Sequence, residues 1–579
     1  MQILSTSSLA LSVALVNAGL QSTTPATHNA NHIFNAVHSS MRQWGSSLLH
    51  NGMSVFIATV PEGTQLYHGT SEPYRVNATQ WLAFEPEHAL VFARAHHGPP
   101  PGKGGLPKPG DEQEGWHPPQ SIEALQEYPP EPPPKHELEA RHPHEPANGR
   151  PLSHTRAQRK RASVYYKQEP LQPKESKVKN DQHGYLHTYR AKHDLRLLYL
   201  DGQSAAKSTK GTLDMQDLVL LHDNPPPADG RPRQPPHDQP GSAQDPRSRR
   251  SSDQRPKDKK PRTGGPMSEG YRADHLCAMA ENEWTGKIDG FLRMELGFEI
   301  ILCSFERDLD IERITEAKES YQRRGPPGHG DGSINYYQAV ASRFDNIGGD
   351  RVSIDYENFV TLYAFDNAVS FDENGLPRAN NDTKVLQPVQ QAIKEMTMPR
   401  NRAGSTNWQA IADMVIARYS DRIETLAAGN FAHEAAFKLE MENAVRPFID
   451  YGNRNITLEI ERCATQYFPA LPPSTSIAAQ AVLDVTTHTC ASLLDAATES
   501  YSEALMTVKS LKTWLGWTTF KRCRGCSYNE VCFVPIWPMG GQGDYDEPKC
   551  VSNMSEVSNG YWGDMGGPPP PPSRGRNWI

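Results

Sequence analysis

The chain has 579 residues, a formal net charge of −8 at pH 7 and 22% charged side chains. This mild charge excludes a strongly basic or strongly acidic protein, and we therefore expect no nucleic acid as a partner. Seventeen prolines fall within 97–180 and eleven within 224–268. Both segments lack apolar periodicity, so burial cannot offset their chain entropy, and we predict two long disordered insertions.

The N-terminus has the pattern of a secretory signal peptide. An apolar stretch at 9–16 is followed by small residues at Val16 and Ala18, which predicts cleavage after residue 18. A buried N-terminal strand or helix is the alternative. No later run reaches the ~18 apolar residues of a membrane span, so we expect no transmembrane segment. The predicted location is extracellular.

Hydrophobic periodicity predicts short strands and helices in the first part of the chain. Residues 28–50 form one predicted helix, and 85–95 form another with Ala89, Phe92 and Ala93 inward. A third helix is predicted at 272–284. The predicted strands are 54–60, 64–70, 81–84, two within 183–202, one ending 287–305 and one within 351–365. Together they predict an α+β domain over 28–385, interrupted by the two insertions.

The remainder of the chain changes character twice. Apolar residues at helical spacing predict a mostly α-helical region over 386–515, with helices at 407–428, 431–452, 456–468 and 476–497. A small module rich in cysteine, glycine and proline follows at 516–562, and the tail at 563–579 is predicted to be disordered.

Two further patterns agree with secretion. The eight cysteines are an even number, and four of them lie within residues 523–550. Disulfides are expected, with Cys277–Cys303 and Cys463–Cys490 as the pairs considered and the pairing of Cys523, Cys526, Cys532 and Cys550 left open. A zinc site at Cys523-x-x-Cys526 is the alternative, and no metal is predicted elsewhere. The Asn-x-Ser/Thr triplets that predict N-glycosylation are Asn77, Asn381, Asn455 and Asn553.

The stretch LYHGT at 66–70 is the first candidate for chemistry. A histidine near the end of a strand, followed by glycine, allows a ligand to approach the backbone closely. His68, Gly69 and Thr70 resemble the first motif of the ADP-ribosyltransferase superfamily in its His-Tyr-Glu, poly-ADP-ribose polymerase-like branch. The resemblance implies NAD as cofactor, with Gly69 binding the nicotinamide amide and His68 binding a ribose hydroxyl.

Two more stretches are similar to that superfamily. WLAFEPEHALVFA at 81–93 resembles a shortened second motif, in which Trp81 or Phe84 takes the place of the stacking tyrosine. FEIILC at 298–303 resembles the third, which implies that Glu299 is the catalytic carboxylate and acts with His68. The alternative is that His68 caps a strand and Glu299 lies on a solvated edge. Arg293, beside Glu295 and Glu299, is predicted to form an ion pair rather than to bind substrate.

The ordered segments also resemble a family of secreted, uncharacterised fungal proteins. MRQWGSSLLHNGMS, LYHGT, WLAFEPEHA, LRLLYLDG, RMELGFEIILC and the cysteine-rich end carry this resemblance, which implies no activity. The predicted fold is therefore α+β, with an ADP-ribosyltransferase-like mixed region, a helical region and a disulfide-rich module. The predicted function is an NAD-using transferase or glycohydrolase. The alternative is a non-catalytic secreted effector or surface-interaction protein with a host or cell-surface protein partner.

Overall fold

The structure is a computed structural model, and it describes residues 29–49, 52–93, 183–202, 214–223, 269–294, 297–317, 333–341, 350–373, 375–398, 406–469, 475–536, 540–553 and 557. All of them belong to one compact unit, formed by Met1–His96 and Ser176–Ile579. The predicted signal peptide, both predicted insertions, the predicted tail and Glu295 lie outside the described residues.

One large sheet organises the first part of the molecule. Its strands are β1 (Ser54–Val60), β2 (Gln65–Thr70), β3 (Gln80–Ala83), β4 (Gly184–Ala191), β5 (Leu195–Leu200), β6 (Gly290–Met294), β7 (Phe298–Leu302), β8 (Leu309–Ala317) and β9 (Ser353–Thr361). They follow the order β8-β4-β2-β3-β7-β6-β5-β1-β9. Among the strands of the described residues, β5 and β6 are the only parallel neighbours. The strongest strand signals, SVFIATV and LRLLYL, form β1 and β5, which are almost wholly buried and pair with each other.

The helices of this part are α1 (Ala30–Ser39), α2 (Gln43–Leu49), α3 (Pro86–Leu90), α4 (Glu269–Asn282), α5 (Phe305–Asp308) and α6 (Ser333–Ala341). A π-helix spans Met215–Leu220 and a 3-10 turn spans Leu362–Ala364. The mixture of a large sheet with these helices confirms the predicted combination of α and β structure.

The single helix predicted over 28–50 is wrong, because α1 and α2 are separated by a break at residues 40–42. Met41 lies in the left-handed region, with φ of 55°, which a helix interior does not allow. Its backbone N–H donates to the Tyr199 hydroxyl at 3.1 Å, and the Ser40 hydroxyl lies 2.8 Å from that of Tyr356. These tertiary contacts fix the break that local periodicity does not show.

The helix predicted over 85–95 is shorter than expected. It ends at Leu90, and Phe92, predicted to face inward, is 50% exposed. Ala89 and Ala93 are buried as predicted. Residues 91–92 form a turn immediately after the last helical residue.

The second part of the described chain is helical, as predicted. Its helices are α7 (Thr383–Thr397), α8 (Trp408–Ala428), α9 (Glu434–Val445), α10 (Ile456–Thr465), α11 (Ile477–Ala496), α12 (Tyr501–Leu515) and α13 (Gln542–Asp546). Two 3-10 turns lie at Arg446–Phe448 and Thr518–Lys521, and two small hairpins pair β10 (Val369–Phe371) with β11 (Pro377–Ala379) and β12 (Val531–Phe533) with β13 (Lys549–Val551).

One hydrophobic core joins the sheet to these helices. It contains β1 residues such as Val55 and Phe56 together with Trp408 of α8 and Leu493 of α11. The N-terminal helix α1 packs against α11 and α8. Side-chain N-caps begin α7, α8 and α11 at Asp382, Asn407 and Ser476. The caps therefore fix where these helices begin, and the shared core fixes where they pack against the sheet.

All eight cysteines are paired. The bridges are Cys277–Cys303, Cys463–Cys490, Cys523–Cys532 and Cys526–Cys550. The first two are the pairs considered from the sequence, and they join α4 to the end of β7 and α10 to α11. The last two close the C-terminal module, where three of the sulfur atoms lie within 4.8 Å of one another. A zinc ligand must be a thiolate, so the bonded state favours the disulfide interpretation of this module.

Candidate functional site

The sheet opens between β2 and β3. β2 is paired with β4 at six register positions, whereas it meets β3 only at Tyr67 and Ala83. β3 then follows β7 over four positions. Backbone groups of β2 beyond Tyr67 therefore lack a ladder partner on the β3 side, and the two strands diverge around a cleft.

This cleft has a volume of about 260 Å³. Its walls include four of the predicted site residues, His68, Gly69, Trp81 and Glu299. Residues separated by 231 positions along the chain thus meet because β2, β3 and β7 are neighbours in the sheet. The other lining residues are Tyr67, Gln80, Leu82, Ala83, His88, Ala89, Phe92, Glu269 and Arg293.

His68 bridges the opening. Its Nδ1 lies 2.7 Å from the carbonyl oxygen of Trp81, so the ring donates from Nδ1 to the backbone of β3. Its ring meets Phe305 at 5.6 Å and His187 at 6.0 Å between centroids. Burial lowers the pKa of His68 to about 4, so the imidazole is neutral at pH 7. With Nδ1 protonated, Nε2 is left as an acceptor.

Glu299 is buried, which contradicts a solvated edge. Only 3% of the residue is exposed, and its Oε1 accepts a hydrogen bond from Arg293 Nε at 2.8 Å. The predicted ion pair with Arg293 is confirmed, because β6 and β7 pair these two residues directly across the strands. Within the described ranges, Oε2 of Glu299 makes no hydrogen bond, and the residue lines the cleft.

Arg293 belongs to a larger buried cluster that sequence reasoning missed. Its Nη1 donates to Gln216 at 2.8 Å, and its Nη2 contacts Glu269. Glu269 also accepts from Arg272 at 2.8 Å, and Arg272 donates to Asp217 at 2.7 Å. Two guanidinium groups and three carboxylates thereby meet in one hydrogen-bonded cluster.

The geometry of the π-helix explains how this cluster is built. Gln216 and Asp217 are consecutive and buried, and they reach the two arginines of the cluster. The π-helix Met215–Leu220 and α4 flank the second predicted insertion, so no short sequence motif joins them. The only local signal was the arginine at position 293, opposite Glu299 across a tight hairpin.

Gly69 is required by packing. A Cβ at this position would lie 1.9 Å from the carbonyl oxygen of Ala89 and 2.8 Å from the backbone nitrogen of Ala93. No side chain fits there without displacing the α3 segment. The glycine therefore lets α3 lie directly on β2, and only the backbone edge of residue 69 remains to face the cleft.

Phe84 and Thr70 lie beside the cleft and are not among its lining residues. Phe84 is buried under the guanidinium of Arg351, 5.7 Å from its ring centre, and lines a smaller neighbouring cavity. Trp81 is therefore the aromatic residue available for stacking. Thr70 ends β2, and its hydroxyl accepts from the backbone N–H of Glu72 at 3.2 Å.

The four predicted glycosylation sites are exposed on the surface. They are Asn77, Asn381, Asn455 and Asn553. Asn455 is also the N-cap of α10, where its side-chain oxygen accepts from Leu458 N. The side-chain nitrogen, to which a glycan is joined, takes no part in that cap. Across the described residues, no helix combines the length and apolar character needed to span a membrane.

Comparison with known proteins identifies relatives for part of the chain. An uncharacterised protein of Saccharomyces cerevisiae, YPL277C, is 27% identical over 309 residues, which are 52% of this chain and 45% of that protein. A second, YOR389W, is 27% identical over 305 residues, which are 52% of this chain and 35% of that protein. The chain thus spans less than half the length of these curated relatives.

No solved structure matches the chain. Neither yeast relative is named as an ADP-ribosyltransferase, so that resemblance stays a prediction. The predicted relationship to an uncharacterised fungal family is confirmed, and the family described as YPL277C N-terminal domain matches residues 25–325, which include the whole cleft. The chain therefore belongs to the YPL277C N-terminal domain family.

Proposed function

We propose that the cleft binds the nicotinamide riboside end of NAD and supports ADP-ribosyl transfer or NAD hydrolysis. The observation that carries this proposal is the meeting of His68, Gly69, Trp81 and Glu299 around one cavity. They are four of the six residues that the motif resemblance predicts for the site, and Thr70 and Phe84 lie beside the cavity without lining it. A purely structural origin of the three short motifs would not require them to share a cleft.

The chemistry suits a buried carboxylate. Cleavage of the bond between the ribose C1′ and the nicotinamide nitrogen releases neutral nicotinamide, which keeps the bonding electron pair. Positive charge develops on the ribose, and the Glu299 carboxylate stabilises it by fixed electrostatics. Attack at C1′ by water, with loss of a proton, completes hydrolysis. Attack by a nucleophilic side chain of a protein completes ADP-ribosyl transfer.

The neighbours of Glu299 fit this role. The guanidinium of Arg293 fixes the orientation of the Glu299 carboxylate through Oε1. Oε2 is then the oxygen that faces substrate. Neutral His68 offers Nε2 to a ribose hydroxyl, and Trp81 offers an aromatic face to the nicotinamide ring. Gly69 contributes only its backbone, because Ala89 covers its Cα.

We also propose that the protein is secreted and glycosylated. Four disulfides favour an oxidising compartment, and the four exposed Asn-x-Ser/Thr sites are accessible to glycosylation. Expression in a fungal host, followed by analysis of the culture medium, tests this. Protein found only inside the cells, unchanged in mobility by endoglycosidase, would contradict it.

The experiment for the cleft follows nicotinamide release. Purified protein is incubated with NAD beside Glu299→Gln and His68→Ala variants, with Glu283→Gln as the matched control on the exposed surface of the same chain. We expect release by the parent and by the control. Loss of the charge at Glu299 should lower the rate at least about a hundredfold.

Binding without turnover is the second outcome, and one observation favours it. The Glu299 carboxylate is already hydrogen-bonded to a buried arginine. If NAD binds, as measured by calorimetry, but no nicotinamide appears, the protein is a non-catalytic NAD-binding one. If NAD neither reacts nor binds, the cleft is structural, and the function as a secreted effector or surface-interaction protein becomes the working proposal.

A further inference from the structure

A second cavity, larger than the cleft, is lined by a different set of residues. This groove has a volume of about 910 Å³, within the range of ligand sites. Its walls come from α1, the end of α12 and the 3-10 turn Thr518–Lys521, with contributions from β11 and α8. It shares no lining residue with the cleft, and it is independent of the proposed function.

Aromatic side chains cover much of the groove. His32 stacks on Tyr363 with ring centres 5.0 Å apart, and burial lowers the pKa of His32 to about 4, so this ring is neutral at pH 7. Trp514 is half-buried beside them, and Phe520 and Tyr545 complete the set. Flat rings with a neutral imidazole offer faces on which the C–H groups of a sugar ring can stack.

Unpartnered polar atoms lie in the same wall. Asn35 Oδ1, Trp517 Nε1 and the Thr518 hydroxyl are buried and have no hydrogen-bond partner. The three residues are 3%, 2% and 5% exposed, and all line the groove. An acceptor, a donor and a hydroxyl without partners are costly in an interior, and a ligand rich in hydroxyl groups matches all three.

The groove is also basic. Lys509, Lys512 and Lys521 line it, against a single carboxylate, Glu424. Glu424 pairs with Lys512 at 3.8 Å and also contacts Arg524. Lys509 and Lys521 make no ion pair with any described carboxylate. Lys521 Nζ lies 3.6 Å from the centre of the Tyr545 ring and donates to the Tyr545 carbonyl at 3.1 Å.

Lys521 carries the strongest case for an anionic ligand. Burial lowers its pKa, because the ammonium is partly removed from water, and the attraction of the Asp546 carboxylate, which forms no ion pair with it, offsets this only in part. Charges in such surroundings are normally paired. An anion in the groove would supply the missing partner.

We propose that this groove binds an acidic carbohydrate, meaning a sugar that carries a carboxylate or a phosphate group. The rings receive the sugar faces, the unpartnered amide oxygen, indole N–H and hydroxyl bind sugar hydroxyls, and Lys509 and Lys521 bind the acidic group. An acidic peptide would use the lysines, but it would leave the hydroxyl-matching groups of Asn35 and Thr518 without a corresponding role.

The test uses defined probes on the full chain. Isothermal titration calorimetry measures binding of trigalacturonic acid, of its fully methylated ester and of mannose 6-phosphate. The methyl ester removes the negative charge of each carboxylate and adds only a methyl group, and the phosphate distinguishes the two kinds of acidic group. We expect binding of at least one acidic sugar and at least about tenfold weaker binding of the neutral ester. Equal binding of acid and ester would overturn the role of charge.

Variants locate the site. Lys521→Met and Trp514→Ala should each weaken binding about tenfold or more, whereas Lys438→Met, an exposed lysine of α9 outside the groove, should leave it unchanged. Lys509→Met changes an exposed side chain and keeps the test valid if the Trp514 variant unfolds. Absence of binding by every sugar, unchanged affinity in all groove variants, or preferential binding of an oligo-glutamate peptide would each overturn the proposal.

Discussion

The cleft and the groove treat charge in opposite ways. In the cleft, Arg293 and Glu299 are buried and hydrogen-bonded to each other, and Glu269 extends the cluster. In the groove, Lys509 and Lys521 form no ion pair with a described carboxylate, and Asp546 attracts Lys521 only at longer range. Charges that satisfy one another hold side chains in position, so the cleft is organised before any ligand arrives. Unsatisfied charges leave interaction energy available, so the groove is the region whose properties a ligand should change most.

Removal of Arg293 should have the largest effect on stability. Arg293→Met leaves the buried Glu299 without its arginine and removes one partner of the half-buried Glu269, and we expect the free energy of unfolding to fall by about 3–5 kcal/mol. Urea denaturation at pH 7 measures this, with Lys438→Met as the exposed control. A fall of less than ~1 kcal/mol would mean that water already screens the cluster.

The pH dependence of His68 should be next in size. The pKa of His68 is lowered to about 4 in the folded protein, against 6.5 in the unfolded chain. Between pH 6.5 and pH 4, His68 is therefore protonated in the unfolded chain but stays neutral in the folded protein. The stability that His68 contributes is complete above pH 6.5 and is lost as the pH falls from 6.5 toward 4. At pH 4.5 the loss should be about 2–3 kcal/mol.

His68→Asn tests this without removing the hydrogen bond to Trp81, because an asparagine amide can also donate. The variant should lose less stability than the parent between pH 7 and pH 4.5, measured by urea unfolding at each pH. Other histidines with a lowered pKa, including His32 and His38, are present in both proteins, so their contributions cancel in the difference. Parallel curves for the two proteins would show that His68 is more solvated than its burial indicates.

Gly69→Ala should destabilise by a smaller amount. The added methyl group meets the Ala89 carbonyl, so α3 must shift, and overpacking of this kind costs about 1–3 kcal/mol. Gly270→Ala is the matched control, because its Cβ would meet nothing within 4 Å and its φ is not positive. Thermal unfolding of both variants compares them. Equal melting temperatures would mean that α3 is not held against β2.

Sequence patterns located most of the sheet because β1, β5 and β7 are buried on both faces and read as apolar runs. β8 gave no such signal. It is an edge strand that pairs only with β4, and most of its side chains are exposed or half-buried, so LDIERITEA has no apolar face to recognise. The break at Met41 was equally hidden, since it depends on a hydroxyl 158 residues away.

The residues of the candidate site also fall into those that the sequence predicts and those that it does not. The Arg293–Glu299 pair was predictable because a hairpin brings the two residues together locally. Gln216 and Asp217 were not, because they reach the cluster from the far side of the second insertion. In the groove, Asn35 donates to the carbonyl of Leu515, 480 residues away, and only the fold brings such residues together.

The smallest effect on stability is expected at the lysines of the groove, and this completes the contrast with Arg293. Lys521→Met and Lys509→Met remove charges that form no ion pair with a described carboxylate, so the free energy of unfolding should change by no more than about 0.5 kcal/mol in either direction. Lys521→Met also relieves a desolvated ammonium, which offsets the lost contact with Tyr545. Urea denaturation at pH 7 measures both variants beside Arg293→Met. A loss at Lys521 as large as that at Arg293 would mean that this lysine is structural, and the groove would then resemble the cleft.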